Sequence, residues 1–290
     1  MLRDARLDLA YFWEVGTDAT NYFLPFCRIA PVQCTGWGWP VTSAAPELDY
    51  HLTSEPLAPP GTERFFCERL VRLPHLPAFM QKPPGVPWRP APLASFGLPE
   101  ARRLYLCTQN LRKVHPDMDF LVEGILRGDP GGIVAFVHDT SPLFGELLER
   151  RWQRTLGPYR DRLFLVPRQS PDRYTRLLAS ATVVLDTMYF GGANTAYDAY
   201  LARVPVVTLE GAEPRARYTS ALHAQAGVEG LTARSPEEYV ETAVRVATDP
   251  ELRSEICERV AQGVERIFEP PEAVRQLETF FEQALGGRGL

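Results

Sequence analysis

From residue 103 onward, the pattern of hydrophobic and polar positions predicts strands that alternate regularly with helices. Short apolar, β-branched runs predict strands, and longer runs with apolar residues three or four positions apart predict helices. The predicted strands are 103–108, 132–138, 162–167, 182–186 and 204–209, and the predicted helices are 117–127, 143–156, 171–180, 194–203 and 215–226. Strands that alternate with helices through short connections indicate a parallel sheet with helices on both faces. We therefore expect residues 100–250 to form a complete doubly wound α/β domain with a closed parallel sheet.

The two ends of the chain follow the same patterns less completely. Short strands are predicted within 7–13, 31–38, 49–54 and 69–74, with a short helix over 18–26. These strands are too few for a second complete domain. Helices are predicted at 236–248, 250–266 and 273–286.

Prolines separate the two regions. Eight of the 27 prolines lie between Pro74 and Pro99. Because proline fixes φ and lacks a backbone donor, this density favours an extended linker that crosses the surface. The predicted division is therefore a partial N-terminal lobe at 1–75, a linker at 76–99, a donor-binding lobe at 100–268 and a C-terminal helix at 269–290 that crosses back to the first lobe.

Composition and charge argue against several classes of protein. The 290 residues are 45% hydrophobic, the net charge is −5, and Lys and Arg form no run, so neither nucleic acid nor an anionic membrane is the expected partner. No apolar run approaches the ~20 residues of a membrane-spanning helix. The five cysteines are odd in number and form no C-x-x-C pair, which favours free thiols over disulfides or zinc. We predict a cytoplasmic protein.

The stretch VVLDTMYFGGANTAYDAYLARVPVVTLEG reads as strand, glycine turn, helix and strand. Gly191 and Gly192 let the backbone approach a ligand, and Asn194 and Thr195 can cap the helix, whose exposed N–H groups suit a phosphate. Asp198, one helical turn later, can accept hydrogen bonds from ribose hydroxyls. Alternatively, the glycines only make a tight turn and Asp198 lies on a solvated face. The spacing alone does not choose between these interpretations.

A second polar loop follows the strand 103–108. Lys113 is well placed there to neutralise a diphosphate, although a solvated lysine would have the same sequence context. Asp117 and Asp119 form a D-x-D pair of the kind that holds a metal on a nucleotide sugar. They also fall in the first turn of a predicted helix, where the helix dipole alone explains acidic residues. We therefore predict no metal site.

Three blocks of this sequence together resemble the catalytic region of the O-GlcNAc transferase/SPINDLY family: LDTMYFGGANTAYDAYLARVPVVTLEG, QNLRKVHP and IAPVQCTGWGWPVTSAAPELDYHLTSE. The blocks occur in the family's order. The resemblance implies a GT-B architecture, in which two Rossmann-like lobes bind a nucleotide sugar. It also implies sugar transfer with inversion of configuration, without a metal ion or other cofactor.

The resemblance also implies roles for individual residues. Lys113 matches the lysine that stabilises the departing diphosphate, which would make it the catalytic group. The other matches are Asn110 at the pyrophosphate; Gly191, Gly192, Ala193, Asn194 and Thr195 at the phosphate-binding helix start; Asp198 at the ribose; and Gln169 and Tyr174 at the nucleobase. Ala193 and Tyr174 stand where the family has histidines, and Pro171 replaces a lysine near the base. Uracil specificity is therefore open.

The function implied is transfer of N-acetylglucosamine from UDP-GlcNAc to protein Ser/Thr hydroxyls. Two alternatives stay open: a non-catalytic nucleotide-sugar-binding or interaction domain, and another GT-B enzyme such as a nucleotide-sugar epimerase. Because family members carry a longer amino-terminal lobe, we expect this chain to bind donor, to transfer little sugar, and to self-associate through residues 1–75. Trp13, Trp37 and Trp39 could line an acceptor groove or simply pack in the core.

Overall fold

The computed structural model describes residues 5–86, 88–100, 102–138 and 141–286, and these form two compact units. The first unit draws on residues up to 81, residues 212–217 and residues from 268 onward. The second unit contains Lys82–Gly211 and Tyr218–Ile267. Parts of the predicted segments lie outside the described residues, namely 1–4, 87, 101, 139–140 and 287–290.

The elements agree closely with the sequence pattern. In chain order the strands are β1 Leu9–Phe12, β2 Val32–Thr35, β3 Tyr50–Ser54, β4 Arg69–Leu73, β5 Arg103–Cys107, β6 Gly132–Val137, β7 Leu163–Val166, β8 Val183–Leu185, β9 Val206–Leu209 and β10 Thr232–Ala233. The α-helices are α1 Ala19–Phe23, α2 Met118–Gly128, α3 Pro142–Thr155, α4 Pro171–Ala179, α5 Asn194–Leu201, α6 Tyr218–Ala226, α7 Pro236–Thr248, α8 Pro250–Ile267 and α9 Pro271–Leu285. Most predicted boundaries are correct within three residues, and only the two-residue strand β10 has no counterpart in the prediction.

The first unit is built on a parallel sheet in the order β1-β2-β3-β4, with β1 at one edge. Helix α9 packs on this sheet through Phe280, which is buried and meets the Tyr50 ring edge-on at 5.5 Å. Phe281 contacts the Tyr11 ring at 5.7 Å. An apolar stripe on the last helix therefore covers the sheet of its own unit, while Val274 on the same helix is exposed.

The tryptophans of the first unit do not share one environment. Trp37 is buried, and Trp13 meets it edge-on at 4.6 Å while remaining half exposed. Trp39 is partly buried and closely approaches Gly16. Core packing thus accounts for Trp37, and Trp13 is the one of the three that offers an accessible ring.

Several polar atoms buried in the first unit have no hydrogen-bond partner within the described ranges. They are the Tyr11 hydroxyl, His51 Nδ1, Thr53 Oγ1 and Ser54 Oγ. Glu68 differs, because its carboxylate accepts hydrogen bonds from Thr42 and from Ser43. Buried polar groups are usually paired, so the four unpaired atoms represent a free-energy cost.

The second unit contains a six-stranded parallel sheet in the order β10-β9-β8-β5-β6-β7. This is the Rossmann strand order, with β5 and β8 at the centre. The sheet is open, with β10 and β7 at its edges, so the expectation of a closed sheet was wrong. Closure requires the edge strands to pair, and these two lie at opposite ends.

The proline-rich segment also differs from the predicted surface linker. Leu93, Phe96 and Leu98 are buried in the core of the second unit, where Leu93–Phe96 forms a 3-10 turn. Ser180 accepts a hydrogen bond from the Ala91 N–H and donates one to the Ala91 carbonyl, each at 2.9 Å. Proline density indicated an irregular backbone correctly, but the apolar residues between the prolines pack into the core.

No helix among the described residues is long and apolar enough to cross a membrane. The cysteines are free thiols; Cys34 and Cys107 are buried, whereas Cys27 and Cys67 are exposed. Burial raises the pKa of both buried thiols to about 12.

Candidate functional site

The candidate site lies in the second unit, where the direction of the strand connections reverses. β5 pairs with both β6 and β8; the chain passes from β5 to β6 on one side and from β8 to β9 on the other. Loops after two such strands diverge and leave a crevice at the carboxyl ends, which is the usual ligand site of open α/β sheets. The loop after β5 carries Lys113, and the loop after β8 carries the glycine turn.

Lys113 connects these two loops. Its Nζ donates to the Gly191 carbonyl at 3.0 Å and to Gln109 Oε1 at 3.3 Å, and it lies 4.4 Å from the centre of the Phe190 ring. The side chain is half-buried, and this burial lowers its pKa, while the Asp186 carboxylate acts in the opposite direction. The solvated lysine considered from sequence is therefore excluded.

Gln109 is a central residue of the site that the sequence analysis missed. It is buried, and its Nε2 donates to Thr195 Oγ1 at 2.5 Å, so that it bridges Lys113 to the start of α5. A Cβ at Gly192 would overlap the Gln109 amide and the Thr195 hydroxyl. Gly192 is thus required for this close approach. The available signal was a polar residue immediately after a buried strand.

Asp186 lies beneath the glycine turn and holds it in shape. Its carboxylate is buried and accepts hydrogen bonds from the Gly192 N–H at 2.7 Å, the Thr187 N–H at 2.9 Å and the Thr208 hydroxyl at 2.9 Å. Burial raises the pKa of this carboxyl, although the hydrogen bonds from Gly192 and Thr208 and the charge of Lys113 act to lower it. A Cβ at Gly191 would also crowd this carboxylate.

Helix α5 begins at Asn194 without a side-chain cap, since its N-cap residue is Ala193. The predicted capping by Asn194 and Thr195 was therefore wrong: both are helical residues, and the Thr195 hydroxyl accepts from Gln109 instead. The first N–H groups of a helix have no acceptor within the helix. An uncapped helix start leaves them available to an anion, together with the positive end of the helix dipole.

Asp198 and Tyr174 form a pair next to this helix start. The Tyr174 hydroxyl donates to Asp198 Oδ2 at 3.3 Å, and both side chains are half-buried. Burial raises the pKa of each group, and for Tyr174 the Asp198 charge adds to the effect. Asp198 is therefore not on a solvated helix face.

Asn110 and Gln169 form their hydrogen bonds locally. Asn110 Oδ1 accepts from the Arg112 N–H at 3.0 Å. Gln169 donates to the Pro167 carbonyl and accepts from Arg173 at 2.8 Å. Lys113 thus contacts Gly191 directly and is linked through Gln109 to Thr195, next to Gly192. Tyr174 and Asp198 form a separate pair. Among the described residues, neither Asn110 nor Gln169 forms a hydrogen bond with either group.

The two aspartates of the D-x-D pair accept hydrogen bonds from different residues. Asp119 is buried and accepts from Arg151 at 2.9 and 3.0 Å and from Thr155 at 2.7 Å, while Asp117 accepts from the Tyr189 hydroxyl at 2.6 Å. Arg151 also donates to the carbonyl of Val114, directly after Lys113. Within the described ranges, no three His, Cys, Asp or Glu side chains are grouped to hold a metal ion.

Comparison with known proteins identifies relatives of this chain. The model of glycosyl transferase family 41 matches residues 91–269. The probable UDP-N-acetylglucosamine–peptide N-acetylglucosaminyltransferase SEC of Arabidopsis thaliana is 29% identical over 232 residues, which cover 78% of this chain and 24% of that protein. The probable transferase of the same type named SPINDLY from Solanum lycopersicum is 28% identical, with 86% of this chain and 27% of that protein covered.

A solved structure of a related enzyme has the same fold. The K341M mutant of the Thermobaculum terrenum O-GlcNAc transferase superposes with a TM-score of 0.87 at 25% identity, covering 98% of this chain and 54% of that chain. The predicted α/β, GT-B-like fold class is confirmed by this match. The chain spans about a quarter of the length of the two curated relatives named above. Because the family model matches more than half of its residues, the chain belongs to glycosyl transferase family 41.

Proposed function

We propose that this chain is part of a glycosyltransferase that moves N-acetylglucosamine from UDP-N-acetylglucosamine to Ser/Thr hydroxyls of proteins. Membership of glycosyl transferase family 41 and the activity for which the SEC and SPINDLY relatives are named support the proposal. The observation that carries it is the position of Lys113, held by Gln109 and Gly191 beside the uncapped start of α5. A cation and a helix N-terminus together suit a diphosphate.

In this proposal the diphosphate binds between Lys113 and the first turn of α5. Breaking the bond from sugar to phosphate leaves negative charge on the nucleoside diphosphate, and both features stabilise that charge. Asp198 accepts hydrogen bonds from the ribose hydroxyls, and the Tyr174 ring packs against the nucleobase. Gln169 and Asn110 complete the nucleoside and pyrophosphate contacts after turning away from their present local partners.

We further propose that the reaction inverts the sugar configuration and needs no metal. Lys113 and α5 supply positive charge where a metal ion would otherwise act. The pairing of Asp119 with Arg151 and Thr155 supports metal independence, because the oxygens of that carboxylate already accept hydrogen bonds. The acceptor's hydroxyl requires a base, and no residue is assigned to that role.

The domain roles are also part of the proposal. Residues 100–268 act as the donor-binding lobe, residues 1–75 as the acceptor-side lobe and residues 269–290 as a helix returning to it, with 76–99 between the lobes. A cytoplasmic location remains a prediction from the cysteine content. The comparisons give no support to self-association through residues 1–75, which forms no part of the proposed function.

Titration calorimetry of UDP in the presence of EDTA tests the donor site. The chain has two lysines, Lys82 and Lys113, which allows a matched control. Lys113→Met is expected to weaken UDP binding by roughly 1.5–3 kcal/mol, the scale of a charge-assisted hydrogen bond. Lys82→Met should leave binding unchanged, because Lys82 forms a surface ion pair with Glu265.

Two outcomes would contradict parts of the proposal. If UDP binds only after Mg²⁺ or Mn²⁺ is added, metal independence is wrong. If UDP binds but the sugar of UDP-GlcNAc is never transferred to a peptide, even by a longer form of the protein, the non-catalytic alternative replaces the transferase.

A further inference from the structure

Three side chains at the edge of the candidate site have no role in the proposed diphosphate and nucleoside contacts. They are Tyr189, His115 and Asp117, called the rim cluster below. We propose that the rim cluster binds the sugar ring of the nucleotide-sugar donor and thereby contributes to donor specificity. This inference rests on the proposed function, since it requires the diphosphate to bind at Lys113.

The rim cluster connects the loops after β5 and β8. The Tyr189 hydroxyl donates to Asp117 Oδ2 at 2.6 Å, and this hydrogen bond is the main cause of a raised pKa for the phenol. The His115 and Tyr189 rings meet edge to face, with centroids 4.8 Å apart and planes at 87°. The Asp117 N–H donates to His115 Nδ1 at 3.2 Å. The cluster is therefore ordered by its own contacts before any ligand binds.

Tyr189 is held in an unusual backbone conformation. Its φ is +65°, in the left-handed region that bulky side chains rarely occupy. Its ring nevertheless remains half exposed, so burial of the side chain does not offset the free-energy cost of this backbone conformation. A strained residue with an accessible side chain is more typical of a ligand contact than of packing.

The rim cluster adjoins the contacts of Lys113 along both loops. Phe190 and Gly191, which contact the Lys113 ammonium, directly follow Tyr189, and His115 is two residues beyond Lys113. Tyr174 and Asp198 form a separate pair on the nucleoside side of the proposal. A sugar is attached to the end of the diphosphate away from the nucleoside, and the rim cluster, next to the Lys113 contacts, is the group that we assign to it.

The chemistry of the cluster also fits a sugar. A pyranose ring has an apolar C–H face and an edge of hydroxyl groups. Two aromatic rings at right angles form an apolar corner for the C–H face. No side chain or N–H among the described residues donates to Asp117 Oδ1, so this oxygen can accept a hydrogen bond from a sugar hydroxyl. The His115 Nε2–H can donate one, because Nδ1 already accepts from the backbone.

The test compares the affinity for UDP with the affinity for UDP-GlcNAc in the same protein. In the unaltered chain UDP-GlcNAc should bind more tightly than UDP under matched conditions, because the sugar adds contacts. Tyr189→Gly and Asp117→Asn should each reduce the ratio of the two affinities by about 5- to 10-fold, which is the scale of a lost hydrogen bond to a charged group. The affinity for UDP should change less than about 2-fold, since the variants leave Lys113 and α5 intact.

Tyr189→Gly also separates a binding role from a structural one. Glycine adopts a positive φ without strain, and this relief offsets the lost Tyr189 contacts, so the thermal midpoint should change little. A lower midpoint with an unchanged affinity ratio would show that Tyr189 only fastens the two loops, and would overturn the inference. A change confined to the KM for the peptide acceptor would overturn it as well. If the unaltered chain does not bind UDP, the proposed function fails before this inference is reached.

Discussion

The candidate site and the sheet of the first unit differ in how their buried polar side chains are paired. In the candidate site, Gln109 and Lys113 have partners across the crevice, and Asp186 accepts a hydrogen bond from the glycine turn above it. In the first unit, Tyr11 and Thr53 each bury an oxygen with no hydrogen-bond partner in the described part of the chain. A complete hydrogen-bond network fixes side-chain positions, which a preorganised site needs.

This difference predicts opposite responses to similar substitutions. Removing one partner from a complete network leaves the other groups buried and unpaired, which costs free energy. Removing a buried polar atom that has no partner relieves such a cost. The following predictions test this contrast, from the largest expected effect to the smallest.

Asp186→Ala is expected to lower the free energy of unfolding by about 3 kcal/mol, because the Gly192 N–H and the Thr208 hydroxyl lose their buried acceptor. Asp186→Asn should lose less, since its amide oxygen can still accept from Gly192. Urea denaturation of the three proteins measures the difference. Equal losses in the two variants would show that charge, and not the hydrogen bonds, is what the turn requires.

Acid should destabilise both units through buried neutral histidines. Burial lowers the pKa of His51 to about 4 and that of His223 to about 3, while the Glu68 charge partly opposes the effect on His51. An unfolded histidine binds a proton near pH 6.5, so the stability present at neutral pH falls as the pH drops from 6.5 toward these values. The loss should approach roughly 2 kcal/mol per histidine at pH 5.

Urea midpoints measured between pH 5 and 7.5 test this pH dependence. His51→Gln and His223→Gln should each flatten the fall in stability below pH 6.5. The two substitutions should flatten it to a similar extent, because both folded-state pKa values lie below the lowest pH measured. Parallel pH profiles for all three proteins would rule out this cause.

The secondary structure and the position of the site could largely be predicted from sequence. Strand and helix periods identified β5 to β9, and residues placed directly after strands identified Lys113 and Gly192, because parallel strands direct their carboxyl ends to one edge. The contribution of Asp186 could not be predicted, since its partner Thr208 is 22 residues away. Gln109 was missed for a similar reason: it meets Thr195 only once the sheet has formed.

Gly192→Ala is expected to weaken UDP binding by about 10-fold and to destabilise the fold by roughly 1–2 kcal/mol. The added methyl group would displace the Gln109 amide and with it the support of Lys113. Gly157→Ala is the control, since a Cβ there meets no atom within 4 Å and φ is not positive. Calorimetry and urea unfolding of both variants check the prediction; tight UDP binding by Gly192→Ala would show that Gln109 is dispensable.

Thr53→Val should leave the free energy of unfolding unchanged or raise it by up to about 1 kcal/mol, although Thr53 is buried. Valine has nearly the shape of threonine, and the hydroxyl it removes has no partner in the part of the chain that the structure describes. Thr208→Val in the second unit is the matched comparison and should be destabilising, because Thr208 donates to Asp186. Equal losses in the two variants would remove the contrast between the candidate site and the first sheet.

The scarcity of lysine gives the protein a natural reporter for covalent labelling. Amines acylate through the unprotonated form, and burial lowers the pKa of Lys113 and so raises the fraction of that form at mildly alkaline pH. The other lysine, Lys82, is paired with Glu265 on the surface and serves as an internal reference within each molecule. The ratio of acyl label on the two lysines would then report occupancy of the crevice in a cell extract, without purification or an activity assay.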